Sequence, residues 1–198
     1  MNRNDNHIKE LIPSHKGTVT METERIILRR FTKEDALFMF NNWANDPVVT
    51  KYMTWFAHEN TETSLSVINS WIEQYEQLNW YQWAIVLKDI NEPIGSIGVV
   101  RSKDEDLSAE MGYCIGRKYW HKGYTSEALS RVLKFLFDDV GYNRISAIHD
   151  IRNPNSGLVM KKCGMKYEGT LREIGFTKEK EPLTVSMYSI LKSEWEIK

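Results

Sequence analysis

At 198 residues, the chain is long enough for one domain with a sizeable core, and 41% hydrophobic with 27% charged residues is the composition of an ordinary globular protein. A formal net charge of −1 excludes an overall basic field that would gather nucleic acid, and no apolar run reaches membrane-spanning length. Two cysteines, Cys114 and Cys163, make no secreted disulfide framework, and neither has a partner at metal-ligand spacing. A reducing, cytoplasmic setting without a metal is the simplest reading.

Residues 1–20 are polar and contain Pro13, Gly17 and two histidines. They lack the apolar block of a signal peptide and read as a flexible N-terminal arm, with residues 21–198 as a single domain. Residues 25–31 are rich in β-branched and apolar types and predict a first strand. Thr32 then reads as a helix cap, with Asp35 three residues on as an acidic capping-box partner. The helix carries Ala36, Leu37, Phe38, Phe40 and Trp43 and should end before Pro47. Residues 48–60 hold Tyr52, Met53, Trp55 and Phe56 with no clean period. Thr61 or Thr63 opens a second helix with Leu65, Ile68, Ile72 and Tyr75 on one face. Five of the seven tryptophans lie between Trp43 and Trp83. They fit a substrate wall or, more simply, core packing.

Residues 83–88 and 93–101 read as two strands joined by a turn at 89–92. Gly95 and Gly98 within the second mark a bulge or a close backbone approach. A charged hairpin tip at 102–106 leads into a strand over 107–115. Its alternation puts Glu110, Gly112 and Cys114 on one face and Ala109, Met111, Tyr113 and Ile115 on the other. After a loop at 120–127 comes a helical pattern with Ala128, Leu129, Val132, Leu133, Leu136 and Phe137, which stops near Gly141. Residues 145–149 form a short strand. Strand, loop, helix and strand in this length make a βαβ unit, so the strands ending at Ile115 and His149 should be parallel neighbours. Asn153 and Pro154 start a further helix that Gly164 ends. Residues 165–177 and 183–191 are two long strands joined as a hairpin.

The loop Trp120-His121-Lys122-Gly123-Tyr124-Thr125-Ser126 leaves a strand and opens a helix. Its backbone N–H groups lack helical partners, and the helix dipole adds positive potential, which together suit an anion, phosphate above all. Gly123 would let a phosphate approach the backbone, and Lys122 adds a charge. A plain turn glycine is the alternative.

Taken in order, these motifs resemble the GCN5-related N-acetyltransferase family over residues 24–189. The loop, Trp120-x-x-Gly123-x-Thr125, is similar to the family's acetyl-CoA pyrophosphate loop, Gln/Arg-x-x-Gly-x-Gly/Ala, with Trp120 and Thr125 departing from it. Its surroundings, with Glu127-Ala128 following, resemble the branch that acetylates ribosomal-protein N-termini. Asn153-Pro154-Asn155-Ser156 is similar to the family's Asn-x-x-Ser, and Lys162-Cys163-Gly164-Met165 to its Lys-Leu-Gly-Phe ending. Glu110-Met111-Gly112-Tyr113 resembles the branch's Glu-x-Gly-Tyr strand, and residues 23–29 its first strand.

The resemblance implies an α/β (α+β) fold: a mixed, mostly antiparallel twisted sheet, flanked by helices, with a splayed parallel strand pair that takes acetyl-CoA. It implies direct acetyl transfer to an amine, either a protein N-terminus or a small molecule such as a polyamine, amino acid or antibiotic. Glu110 is the candidate general base, directly or through water, against a role in orienting substrate. Ser156 is the candidate hydrogen-bond or proton donor at the departing sulfur, against a helix-start role. Asn153 either caps its helix or bonds the pantetheine. Backbone amides of Tyr113, Cys114 and Ile115 would stabilise the oxyanion. Those of His121, Lys122, Gly123, Tyr124, Thr125 and Ser126 would hold the diphosphate. His149 reads as structural. The rings of His121, Tyr124 and Tyr142 are given no chemistry, and no His–Asn pair supports Cys114 as a nucleophile. A non-catalytic acyl-CoA-binding module competes with the enzyme. A nucleic-acid binder is disfavoured because no basic cluster accompanies the aromatics. Homodimerisation through a terminal strand is left open.

Overall fold

The computed structural model describes residues 12–196, and its elements follow the alternation and periodicity of the chain. The strands are β1 (Met21–Glu22), β2 (Ile26–Arg29), β3 (Gln82–Leu87), β4 (Glu92–Lys103), β5 (Ser108–Ile115), β6 (Arg144–Asp150), β7 (Lys166–Phe176) and β8 (Pro182–Leu191). The α-helices are α1 (Asp35–Met39), α2 (Pro47–Thr50), α3 (Thr61–Gln74), α4 (Tyr124–Phe135), α5 (Pro154–Lys162) and α6 (Lys192–Trp195). The strands form one sheet in the order β1-β2-β3-β4-β5-β6-β8-β7. Every neighbouring pair is antiparallel except β5–β6. The mixed sheet and its one parallel pair match the expected architecture. The insertion of β8 between β6 and β7 is a pairing that local sequence does not announce.

Each sheet face is buried by helices. Leu129, Val132, Leu133 and Leu136 pack with Ile97, Met111, Ile145 and Ala147 on one side. Phe31, Trp43 and Ile68 pack with Ala84, Val86 and Cys114 on the other. The alternation of β5 therefore divides as expected, Cys114 going to the second layer and Ala109, Met111 and Ile115 to the first. Burial of large apolar side chains of this kind contributes roughly 1.5–3 kcal/mol apiece. Trp43 and Trp83 are fully buried, and the Phe31 ring packs tilted against Trp71 with centroids 4.9 Å apart, so packing accounts for these tryptophans. Gly95 serves close approach: a β-carbon there would run into the Cys114 carbonyl oxygen across the β4–β5 pair.

Several boundaries differ from expectation. The first helix passes into a π-helical turn over Phe40–Ala44, and Pro47 opens α2, capped by Asp46, whose side chain accepts from the Val48 N–H. The cap of α3 is Asn60, accepting from the Thr63 N–H at 2.9 Å, rather than Thr61 or Thr63. Helix α4 begins at Tyr124, one turn before the apolar period, because its first turn buries the polar Thr125 and Ser126 and so carries no apolar pattern. Of the arm expected over residues 1–20, residues 1–11 lie outside the described residues. Residues 14–19 are tied down: the Ser14 N–H donates to the Val140 carbonyl at 2.7 Å, and the Trp83 indole to the Val19 carbonyl at 2.7 Å. His15 bridges the Tyr81 hydroxyl at 2.9 Å and the Asp104 carboxylate at 3.0 Å.

The buried phenols and thiol set an alkaline limit. Burial pushes Tyr75 and Tyr142 up to about 12, from an ordinary 10.0. It pushes Cys114 up to about 12, from 9.0, and raises Tyr81 and Tyr113 as well. All are neutral when protonated, so the folded chain keeps protons that the unfolded chain releases first. Stability is then full below about pH 9 and falls as pH rises toward 12, by at most about 1.4 kcal/mol per unit per group. Urea melts near pH 8 and pH 11 should show the midpoint dropping at the higher pH.

Candidate active site

The parallel pair is joined only from Ser108↔Arg144 to Met111↔Ala147. Beyond Met111, β5 runs on to Ile115 and β6 to Asp150 without pairing to each other. The opened seam leads into a cavity of about 270 Å³ lined by Tyr113, Cys114 and Ile115 from β5. His121, Gly123, Thr125 and Ser126 line it from the loop and α4, and Asn153 and Ser156 from the start of α5. Peptide groups along the open strand edge need hydrogen-bond partners from whatever enters.

One wall is the loop. His121 has φ 59° and Gly123 has φ 83°, both left-handed, so the chain reverses twice before α4 begins. The Glu127 N–H bonds the Gly123 carbonyl. Among the described residues, the amides from His121 to Ser126 have no acceptor. With the α4 dipole behind them they present a cradle of donors whose chemistry suits an anion. Trp120, where the family pattern has Gln or Arg, donates its indole N–H to the Ile115 carbonyl at 2.9 Å and lines the cavity. It closes the loop onto the strand end by packing in place of a polar side chain. Thr125, the other departure, is buried against the cavity.

Two cations flank Gly123. A β-carbon there would lie 3.4 Å from Arg25 Nη2 and 3.6 Å from Lys162 Nζ. Arg25 is committed: its Nε donates to Glu127 at 2.7 Å, its N–H to the same carboxylate at 3.0 Å, and Thr23 adds a third donor at 2.5 Å. Burial alone would raise the Glu127 carboxyl, but these hydrogen bonds and the guanidinium outweigh it and hold it below the ordinary range. This pairing explains the Thr23-x-Arg25 of the turn between β1 and β2 and offsets an acid's repulsion near the loop. Lys162 lines the cavity from the last turn of α5, its ammonium beside Gly123. Sequence reading missed it as a site residue. The signal available was helical spacing, since Asn155, Leu158, Val159 and Lys162 all line the cavity at i, i+3, i+4 and i+7.

The opposite wall carries a hydroxyl pair. Ser156 Oγ donates to Tyr113 Oη at 3.1 Å, and Tyr113 Oη donates to the Ser156 carbonyl at 2.9 Å. Burial raises the Tyr113 phenol, so it stays a proton holder at neutral pH. Burial likewise keeps the Cys114 thiol protonated, which removes its nucleophilic form. Asn153 makes no side-chain cap bond, so its amide is not engaged by its own helix.

Not every predicted residue reaches the cavity. Lys122 and Tyr124 do not line it. Tyr124 stacks under Arg25 at 4.5 Å, and the Lys122 ammonium lies 5.8 Å over the Tyr119 ring. Glu110 is half-buried on β5, paired with Arg101 and Ser146, and does not line the cavity either. It shares the Cys114 face, roughly 13 Å along the strand from it at the ordinary rise. His149 donates from Nδ1 to the Asp150 carbonyl, 2.8 Å away, and stacks on Tyr188, a packing role.

This fold and site define an acetyltransferase. The sequence pattern of the acetyltransferase (GNAT) domain family matches residues 25–166, and the chain belongs to that family. It is 33% identical over 172 residues to the uncharacterized N-acetyltransferase YoaA of Bacillus subtilis (strain 168), covering 87% of this chain and 96% of that one. A GNAT-family acetyltransferase from Bacillus anthracis superposes with TM-score 0.77 at 26% identity, over 89% of this chain and 100% of that one. The ribosomal-protein-S5-alanine acetyltransferase from Vibrio fischeri shares the fold with TM-score 0.77 at 19% identity, over 89% and 98% of the two chains.

Proposed function

We propose that the enzyme transfers the acetyl group of acetyl-CoA directly to a primary amine, with a free protein N-terminus, ribosomal proteins included, as the acceptor class. The observation that carries this is the unpaired seam between β5 and β6, with an anion cradle at one end and the Ser156–Tyr113 hydroxyl pair at its side. The amides from His121 to Ser126, with Lys162, suit a diphosphate. The open edge at Tyr113, Cys114 and Ile115 and the Asn153 amide suit the pantetheine. The thioester supplies the acyl group.

An amine attacks only after losing its proton. Glu110 is the carboxylate on the Cys114 face of β5 and the candidate base; at roughly 13 Å along the strand from Cys114 it would act on an amine held near its own end of that face, directly or through water. Ser156 can turn its hydroxyl proton from Tyr113 toward the sulfur. Likeness in motifs to the ribosomal branch, and in fold to the Vibrio fischeri enzyme, supports a protein N-terminus as acceptor. The buried thiols Cys114 and Cys163 fit a reducing cytoplasm.

The test is acetyl transfer, measured against N-terminal peptides of ribosomal proteins, polyamines, amino acids and aminoglycosides. Turnover on peptides alone is expected. Turnover on a small amine instead would move the acceptor class, and binding of acetyl-CoA with no turnover on any amine would leave a binding module. Glu110→Gln is expected to lower kcat/KM about tenfold to a thousandfold and to flatten its rise with pH. An unchanged profile removes Glu110 as base.

A further inference from the structure

The turn between β7 and β8 reaches back across the molecule to residues that precede it by more than a hundred positions. Lys178 lies in this turn, yet its side chain is only 6% exposed. Its ammonium donates to the Thr50 carbonyl at 2.5 Å and the Trp55 carbonyl at 3.2 Å, and it lies 5.3 Å over the Phe56 ring. The ammonium is thus met by two main-chain oxygens, one from Thr50 at the end of α2 and one from Trp55 beyond it, with the Phe56 ring face and the Glu179 carboxylate, 3.8 Å away, beside them. Between α2, which ends at Thr50, and Thr61 no regular element begins, and the segment is held by side-chain contacts and by single bonds such as the His58 N–H to the Ala44 carbonyl at 2.8 Å. On the other side of the same turn, Glu181 pairs with Arg152 at 3.0 Å, and Arg152 holds Asp150 at the end of β6. The turn is anchored at both flanks of the open seam.

The held segment supplies part of the cavity. Val49 and Met53 line it, on either side of the Thr50 carbonyl that Lys178 grips. Both belong to the sheet face that carries Cys114, the face from which an amine passing Glu110 would approach. We infer that Lys178 is a positioning residue for the acceptor: by fixing the Thr50 and Trp55 carbonyls it sets the wall that Val49 and Met53 present to the incoming amine. This inference rests on the transferase reading for its consequence but not for its geometry. Nothing in the grip touches the loop at Gly123, so nucleotide binding and acceptor binding should separate.

The test compares the full-length chain with Lys178→Met, which keeps the stem and removes the charge, and Lys178→Arg, which keeps a donor. Hydrogen exchange at the Met53 amide, bonded to the Thr50 carbonyl at 2.9 Å, is expected to quicken about tenfold or more in Lys178→Met while α4 amides hold their rates. With a short peptide bearing a free N-terminal serine, and with spermidine, the acceptor KM is expected to rise about tenfold or more. The calorimetric Kd for acetyl-CoA is expected to stay within about twofold, and Lys178→Arg to recover part of the acceptor KM. Unchanged exchange at Met53, or a Kd and an acceptor KM that move together, overturns the inference. A wild-type chain that binds no acetyl-CoA would strike the transferase reading instead, and the exchange comparison would still decide the grip.

Discussion

Replacing Gly123 with valine is expected to weaken acetyl-CoA binding about a hundredfold while leaving the protein folded. Two effects add. A side chain at φ 83° costs roughly 1–2 kcal/mol in the left-handed region, and a β-branched one is the least tolerant. Its β-carbon would also stand 3.4 Å from Arg25 Nη2 and 3.6 Å from Lys162 Nζ, in the space between two cations where a diphosphate would rest. Calorimetry with acetyl-CoA measures the loss, and thermal unfolding of the free protein shows whether the fold survives. Lys162→Ala is the companion: a smaller loss of about tenfold that shrinks further as salt is raised, because it removes charge and leaves the amides in place. Binding that is insensitive to both changes would put the diphosphate elsewhere.

Removing the Ser156 hydroxyl should act on turnover and not on capture. Ser156→Ala is expected to lower kcat about tenfold to a hundredfold with the acetyl-CoA Kd changed by no more than a few fold. The hydroxyl donates to Tyr113 at 3.1 Å at the cavity wall, and it is the donor there that can turn away from its present partner at little cost. Tyr113 has its own acceptor in the Ser156 carbonyl at 2.9 Å and is held by burial, so Tyr113→Phe should cost stability, on the order of 1 kcal/mol, as well as rate. Were Ser156 only a helix-start residue, its alanine variant would melt earlier and turn over normally. Single-turnover kinetics beside a melting curve distinguishes the two.

The parts of this site that could be read in advance share a property: each is defined by residues close together in the chain. Trp120 to Ser126 is legible because a glycine between a strand and a helix implies free amides. Asn153 and Pro154 are legible as a helix start, though the asparagine side chain turns out not to cap. Where the reading fell short, the relevant partner was distant. The start of α4 was placed late because its first turn buries no apolar period, and what holds Glu127 there is Thr23 and Arg25, about a hundred residues earlier. The stretch before α3 shows no period because it forms no regular element, and Lys178 holds part of it from the far end of the chain. Lys162 passes as the end of a motif because helical spacing puts it on one face with Asn155, Leu158 and Val159 but does not say that this face meets the loop.

Alternation, periodicity and turn chemistry thus determined the elements, the βαβ unit and the family, since these are properties of a few consecutive residues and the faces they present. Tertiary structure alone decided three things: where the parallel pair parts, after Met111 and Ala147, that β8 lies between β6 and β7, and that Arg25, Lys162 and Lys178 meet the loops they do. The reason is physical. Backbone pairing and the placement of long cationic side chains depend on which segments lie side by side in space, and no window of local sequence contains both members of such a pair.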